Sequence, residues 1–231
     1  MNLENKFQNF NGQIYFNYSL KNLNWFNIGG NTEIYFKPDT LQDLIEFLKT
    51  YKNEEKLFVL GAGSNVLFSD ETFKGAIIKL SKNFSRISLL NENTIIAGSG
   101  ALDKSLSEFA LQNSLSGFEF LSCIPGTVGG GIRMNSGCFE REFKNILISV
   151  QAINRSGQVL TIPSKDIIFG YRTCNLPKDL IFLSASFKGN RKKKEEIEKE
   201  VKNLKLKKEK AQPTRIKTGG STFKNPIKQT N

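Results

Sequence analysis

Two glycine-rich segments constrain this chain more than any other feature: Gly61-Ala62-Gly63-Ser64-Asn65-Val66 and Pro125-Gly126-Thr127-Val128-Gly129-Gly130-Gly131. The first comes directly after a short apolar run, Leu57 to Leu60, that reads as a strand, and the second runs on into Met134-Asn135-Ser136-Gly137. Glycine lets backbone N–H groups turn toward an anion with no Cβ in the way, so each segment reads as a nest for a phosphate or pyrophosphate. Each alone also suits a tight turn, and the pair together strengthens the ligand reading. Neither matches the commoner nucleotide motifs. A GxGxxG pattern begun at Gly61 needs a glycine at Val66, and one begun at Gly129 needs it at Met134. A P-loop begun at Gly126 finds Gly131 in place but Ile132 where lysine is required.

Composition narrows what such loops serve. With 39% hydrophobic and 24% charged residues over 231 positions, the chain has the makings of a folded protein of one or two domains. No run of apolar residues is long enough to span a membrane, and Met1 to Asn11 lacks the apolar stretch of a secretory signal. The three cysteines, Cys123, Cys138 and Cys174, are odd in number and widely spaced, which points to reduced thiols and a cytoplasmic setting. Histidine is absent, which removes Ser-His and Cys-His nucleophiles and any His-based zinc site; no metal site is expected. The net charge of +11 invites a nucleic-acid reading, but much of the excess lies in Arg191 to Lys210, where ten basic residues meet five glutamates. Ile197, Val201 and Leu204 form a narrow stripe there, so a solvated helix with one packed face is favoured over a nucleic-acid surface. The basic balance also suits a small phosphate-bearing substrate.

Thr32 to Phe36, Leu57 to Leu60, Gly75 to Leu80, Thr94 to Ala97 and Leu180 to Phe187 read as strands. Ser149 to Ile162 alternates around Arg155-Ser156-Gly157 as a hairpin does. Thr40 with Asp43 forms an N-cap signature for a helix carrying Leu41, Leu44, Ile45 and Leu48, and Leu102, Leu106, Phe109 and Ala110 suit a second. Strands after residue 80 mostly succeed one another without helices between them, so the fold class is α+β. The Pro- and Gly-marked stretch after Lys210 is too short for a core and reads as the opening of a further, truncated domain.

Several blocks together resemble the UDP-N-acetylenolpyruvoylglucosamine reductase family. They are Phe26-Asn27-Ile28-Gly29-Gly30, Gly61-Ala62-Gly63-Ser64-Asn65-Val66-Leu67 and Gly117-Phe118-Glu119-Phe120-Leu121, then Ile124-Pro125-Gly126-Thr127-Val128-Gly129-Gly130 and Met134-Asn135-Ser136-Gly137. Phe169-Gly170-Tyr171-Arg172 and Gly220-Ser221-Thr222-Phe223-Lys224-Asn225-Pro226 complete the series in the family's order. The resemblance implies an FAD-binding scaffold of the p-cresol methylhydroxylase type, with an N-terminal segment 1–20 and an FAD-binding domain 21–190 in subdomains of about 21–80 and 81–190. A Lys-rich connector 191–210 would lead into the start of an α+β substrate-binding domain at 211–231.

It further implies that NADPH reduces bound FAD and that the enolpyruvyl group of UDP-N-acetylglucosamine enolpyruvate is then reduced to UDP-N-acetylmuramate, a peptidoglycan precursor. The implied FAD contacts are Gly61, Gly63, Ser64, Asn65, Val66, Pro125, Gly126, Val128, Gly129 and Gly137. Arg172 is the implied cation over the developing enolate, its planar fork suited to a carboxylate, and Ser221 is the implied proton donor. Without the resemblance these would be an ordinary ion-pairing arginine and a turn serine. Tyr171, Lys224 and Asn225 are implied substrate contacts. The enzyme is expected to act as a cytoplasmic monomer with no membrane or nucleic-acid partner.

The chain departs from the family pattern in two places. A Ser-Glu stretch and a near-terminal Glu that come after the last block in the family have no counterpart here, so activity is expected to be reduced. Cys138-Phe139-Glu140 stands where the family often has Ala-Tyr-Gly, and a packing variation is expected there. A flavin-dependent oxidase on the same scaffold, and a non-catalytic nucleotide or nucleic-acid binder, are the competing readings.

Overall fold

The computed structural model describes residue 7, residue 10 and residues 12–51 and 56–211. Its longer strands form two sheets, with three two-stranded ladders beside them. The smaller contains β1 (Gln13–Ser19), β2 (Asn31–Lys37), β3 (Leu57–Val59) and β4 (Phe73–Ile78) in the order β1-β2-β4-β3. β1 runs antiparallel to β2, whereas β4 pairs in parallel with both β2 and β3. The larger contains β5 (Ile87–Asn91), β6 (Thr94–Gly98), β7 (Leu147–Ile153), β8 (Val159–Pro163) and β9 (Ile181–Lys188), antiparallel throughout in the order β8-β7-β9-β6-β5.

The parallel pairs of the smaller sheet require a crossover, supplied by helix α1 (Leu41–Thr50) between β2 and β3. Its start is set by a reciprocal cap. Asp43 N–H donates to Thr40 Oγ1 at 3.1 Å, and Thr40 N–H donates to Asp43 Oδ2 at 2.8 Å. The strand period of two then divides the sheet's faces. Ile34, Phe36, Ala76 and Ile78 meet Leu44, Phe47 and Leu48 of α1, while Tyr35 and Ile77 turn the other way onto Leu20 and Leu60. Phe36 and Phe47 stack with centroids 4.3 Å apart.

The two sheets share core. In β9 a bulge at Leu183, opposite the step from Gln151 to Ala152, resets the alternation. Ile181 and Leu183 therefore join the α1 core, while Phe182, Ala185 and Phe187 belong to the larger sheet's own core. That core is closed by helix α2 (Asp103–Gln112), the short helix α3 (Val128–Arg133) and the turn Glu119–Cys123. Helix α4 (Lys194–Ala211) packs Ile197 and Val201 and leaves its charged residues outside, in exposed pairs such as Lys202–Glu198 at 3.4 Å. Leu204 is half-buried.

The α+β class expected from the sequence is the one observed. Two strands of the larger sheets lay outside that expectation. β1 falls in the N-terminal segment 1–20, to which no strand was assigned, and none of its residues is fully buried. β5 is an edge strand exposed over most of its length. Leu102, placed on the apolar stripe of α2, is instead the residue before the helix and is exposed. The residues 212–231 lie outside the described residues, among them the expected opening of a further domain. Among the described residues no helix is long and apolar enough to cross a membrane.

Phe47 touches Phe36 and Tyr51 and is fully buried at the centre of the smaller core. Phe47→Ala is expected to destabilise the fold by about 3–5 kcal/mol, measured as a lower urea midpoint with an unchanged slope.

Candidate functional site

The first glycine segment begins where β3 ends. Leu60 N–H makes the last bond to the sheet, to Ile78 O at 2.8 Å, and the chain then leaves it. Among the described residues the N–H groups of Gly61, Ala62, Gly63, Ser64 and Asn65 donate to no other group. Gly63 holds φ +71, and a Cβ there would run into the Leu23 carbonyl. Its own carbonyl accepts Trp25 N–H at 3.1 Å, so the segment rests on Leu23–Trp25. That support is itself tied by Asn24, whose Nδ2 donates to Leu20 O at 3.0 Å and Ile28 O at 2.8 Å. Val66 packs beneath, on the face of Leu20, Tyr35, Leu60 and Ile77.

The second segment is not an open loop but the start of α3. Thr127 caps it, its Oγ1 accepting Gly130 N–H at 3.4 Å. Val128 N–H donates to Ala101 O and Gly129 N–H to Ser99 O, both at 2.9 Å. This corrects the nest reading for Val128 and Gly129: their donors are used within the protein, and what they offer a ligand is close approach. The N–H groups of Gly126 and Thr127 are uncommitted among the described residues. The missed signal is Thr127 itself, a strong cap residue set one position before the helix.

The two segments meet. A Cβ on Gly61 would lie 2.5 Å from Thr127 Oγ1, so the absence of a side chain there allows the contact. Their combined surface presents a row of open N–H donors against the start of α3, and it can hold the oxygens of a pyrophosphate. Pro125 contributes no N–H and sets the entry into this turn.

Helix α3 ends in a Schellman motif. Ser136 N–H donates to Gly131 O at 2.8 Å and Asn135 N–H to Ile132 O at 3.1 Å, with Asn135 at φ 40. The buried Asn135 side chain then ties three separate segments together. Its Nδ2 donates to Glu142 Oε2 at 3.0 Å and Gly170 O at 3.1 Å, and its Oδ1 accepts Lys144 N–H at 3.1 Å. In the sequence Asn135 is part of a motif, but nothing there marks it as this hub.

Gly170 belongs to a small ladder, Phe169–Gly170 against Thr173–Cys174, whose tip is Tyr171-Arg172. Arg172 sits at φ 58, a conformation that an L side chain adopts only against a steric penalty. Its Nη2 donates to Gly137 O at 3.1 Å and Nη1 to Asn135 O at 3.4 Å, and its guanidinium lies 5.0 Å from the exposed Tyr171 ring. Gly137 is itself held without room for a Cβ, against the Arg141 carbonyl. Arg133, at the end of α3, contrasts with Arg172. It donates to the carbonyls of Leu176, Pro177 and Leu180 at 3.0, 2.9 and 2.7 Å and covers the Phe182 ring, so it is consumed in holding 176–180. Ser221, Lys224 and Asn225 lie outside the described residues.

Asp103 opens α2 directly behind Gly126, where a Cβ would lie 2.6 Å from its Oδ2. It is fully buried, and neither carboxyl oxygen has a hydrogen-bond partner among the described residues. Burial pushes this carboxyl well above the usual carboxylate range. The side chain beneath the second segment therefore holds its proton to higher pH than a free carboxylate, which lessens the negative charge that would oppose an anion there.

Residues 32–163 match the model of the FAD binding domain family. The crystal structure of UDP-N-acetylenolpyruvylglucosamine reductase from Thermus caldophilus superposes with a TM-score of 0.80 at 29% identity, covering 93% of this chain and 75% of that one. BBE-like 1 from Physcomitrella patens superposes with a TM-score of 0.60 at 14% identity over 83% of this chain and 45% of that one, which shows a shared fold. The protein is thus of the FAD-binding class, on the fold that it shares with both structures. UDP-N-acetylenolpyruvoylglucosamine reductase from Pelagibacter ubique (strain HTCC1062) is 63% identical over 226 residues, 97% of this chain and 75% of the relative. The enzyme of the same name from Rickettsia canadensis (strain McKiel) is 43% identical over 93% of this chain and 72% of the relative. The chain belongs to the UDP-N-acetylenolpyruvoylglucosamine reductase family.

The state of Asp103 sets a pH dependence. An unfolded Asp ionises near pH ~4, whereas folded Asp103 keeps its proton to higher pH, so stability is lost as pH rises between those two values. Asp103→Asn removes that loss. The variant is expected to have a higher urea midpoint than the parent at about pH 7 and a similar one at about pH 3, below both titrations.

Proposed function

We propose that this chain binds FAD across the seam of its two glycine segments and, with NADPH, reduces UDP-N-acetylglucosamine enolpyruvate to UDP-N-acetylmuramate for peptidoglycan synthesis. The observation that carries this reading is the meeting of Gly61 with Thr127 in a chain of this family. It sets uncommitted N–H donors from Gly61 to Asn65 beside those of Gly126 and Thr127.

In this reading Gly61, Gly63, Ser64 and Asn65 hold the pyrophosphate through their N–H groups, with Gly126 completing the row. Val66, Pro125, Val128, Gly129 and Gly137 form the walls that let the cofactor approach the backbone. Bound FAD supplies hydride acceptance from NADPH and hydride donation to the substrate. The chain supplies position and charge. Hydride addition to the enolpyruvyl double bond leaves negative charge beside the substrate carboxylate, and a fixed cation there lowers the barrier.

Arg172 is assigned that role. Two of its five N–H donors are tied to Gly137 and Asn135, which leaves its fork oriented and partly uncommitted. Its anchor is the far end of α3, a six-residue helix about 9 Å long, so the cation and the pyrophosphate segment are held at opposite ends of one rigid element. Tyr171 flanks the guanidinium and supports a substrate contact. Ser221 is assigned as the donor of the proton that completes the reduction, with Lys224 and Asn225 as substrate contacts, on the family motif that they occupy. The same reading takes the enzyme as a cytoplasmic monomer without nucleic-acid or membrane partners, and its free thiols support the reducing compartment.

The first test is the absorption spectrum of the purified protein with released flavin identified by chromatography. Stoichiometric FAD supports the reading, and a folded protein that takes up no added FAD overturns it. Gly63→Ala is expected to lose FAD, because a side chain there collides with the Leu23 carbonyl in a strained conformation. Arg172→Ala is expected to keep FAD and lose about 10²–10³-fold in substrate-dependent NADPH oxidation. Near-parental turnover in that variant would remove Arg172 from the mechanism.

A further inference from the structure

Cys123 and Cys138 take no part in the proposed reaction, yet they bracket the segment that does. Cys123 closes the turn Glu119–Cys123 just before Pro125, and Cys138 comes directly after Gly137, whose carbonyl receives Arg172. The Gly137–Cys138 segment packs on that turn, which sets the two cysteines on neighbouring stretches of backbone. Ser122 Oγ lies 3.7 Å from Cys123 Sγ. Helix α4 crosses the same turn, and Lys208 Nζ donates to the Cys123 carbonyl. A helix that composition presents as merely solvated thus brings ammonium groups over a thiol.

The chemistry of the pair is asymmetric. The neighbouring Cys138, with help from Ser122, Lys208 and Lys205 and against the opposing effect of burial, brings the Cys123 thiol down to about 6. Cys138 is pushed up by Cys123 and by burial. Of the two, Cys123 is the sulfur that gives up its proton first. Cys174 lies apart from this arrangement, hydrogen-bonded with Arg133.

We propose that Cys123 and Cys138 form a peroxide-reactive dithiol that closes reversibly to a disulfide and thereby weakens cofactor binding at the adjoining glycine segment. The effect on affinity rests on the FAD reading above; the cross-link does not. The Cys123 thiolate attacks one oxygen of hydrogen peroxide, the O–O bond breaks, and the departing hydroxide takes up a proton as water. Cys123 is then a sulfenic acid. The Cys138 sulfur attacks it, the S–O bond breaks, and the Cys138 proton leaves with the hydroxide as a second water. Two thiols have lost two electrons and peroxide has gained them.

Cys123 is 5% exposed, which admits a small oxidant and disfavours a bulky disulfide. Closing the pair draws the sulfurs from contact to a bond of about 2.05 Å. The movement falls on the two backbone segments just before Pro125 and just after Gly137, so it reaches both the glycine segment and the anchor of Arg172.

The test treats the reduced chain with hydrogen peroxide, alkylates the remaining thiols, maps the peptides by mass spectrometry and titrates FAD before and after. A Cys123–Cys138 cross-link is expected, with Cys174 alkylated and FAD affinity at least about tenfold weaker until dithiothreitol restores it. Cys123→Ser and Cys138→Ser should show no peroxide effect on affinity, and Cys174→Ser should behave as the parent. Oxidised cysteines without a cross-link, a cross-link through Cys174, or a cross-link that leaves affinity unchanged would each overturn the proposal. A reduced chain that binds no FAD overturns the flavin reading and the effect on affinity with it, while mass alone still decides the cross-link.

Discussion

The contact between Gly61 and Thr127 is the constraint on which the rest of the site depends. Thr127 Oγ1 occupies the space that a side chain at residue 61 would need. The same hydroxyl caps α3, and the backbone around it is bonded to Ala101 and Ser99 at the end of β6. Gly61 is in turn the first residue beyond the sheet bond of Leu60. One hydroxyl and one missing Cβ therefore join the smaller sheet to the larger at the point where open N–H donors collect. The shared core reinforces the junction, because the bulge at Leu183 sends Ile181 and Leu183 of the larger sheet into the hydrophobic core of α1.

Much of this is legible in the sequence where one local pattern dominates. The Thr40–Asp43 cap predicts the start of α1, and the alternation on either side of Arg155-Ser156-Gly157 predicts the hairpin of β7 and β8. β1 and β5 escape because neither buries a residue fully: β1 alternates only between exposed and half-buried positions, and β5 is exposed over most of its length. The second glycine segment is the harder case. Four glycines in six residues look like a loop because glycine disfavours helix, yet tertiary contacts require them there. A Cβ on Gly129 would press on Ser99, and one on Gly131 would enter the Phe143 ring. Close packing overrides helix propensity, and no local window contains Ser99 or Phe143.

The site residues divide in the same way. Gly61, Gly63 and Arg172 stand in blocks that mark themselves, because a motif specifies backbone that must be bare or a cation that must be fixed. Asn24, Asn135 and Asp103 do not. Asn24 acts through bonds to carbonyls four residues away on either side, and Asn135 through bonds to other segments, Gly170 being thirty-five positions away. Asp103 looks like an ordinary acidic residue in a first helical turn, a favourable place for a charge. Its full burial reverses that expectation. Burial favours the protonated carboxyl, which opposes an anion at the adjoining segment less than a carboxylate would.

Backbone strain in the chain is concentrated where these pieces meet. Asn135, Phe139, Glu140 and Arg172 all hold positive φ without being glycine, and they lie within one hydrogen-bonded neighbourhood. Phe139 and Glu140 form the tip of the Gly137–Cys138 and Arg141–Glu142 ladder, where a glycine would escape this penalty. Such positions cost on the order of 1–3 kcal/mol each and persist where the surroundings over-determine them. Asn135 provides that over-determination, bonded at once to Glu142, Gly170 and Lys144 while its carbonyl receives Arg172. An asparagine tolerates the left-handed region better than most residues, so the hub sits where that backbone costs least. Among the described residues the cation is held by backbone carbonyls rather than by a carboxylate, so its charge is not neutralised there.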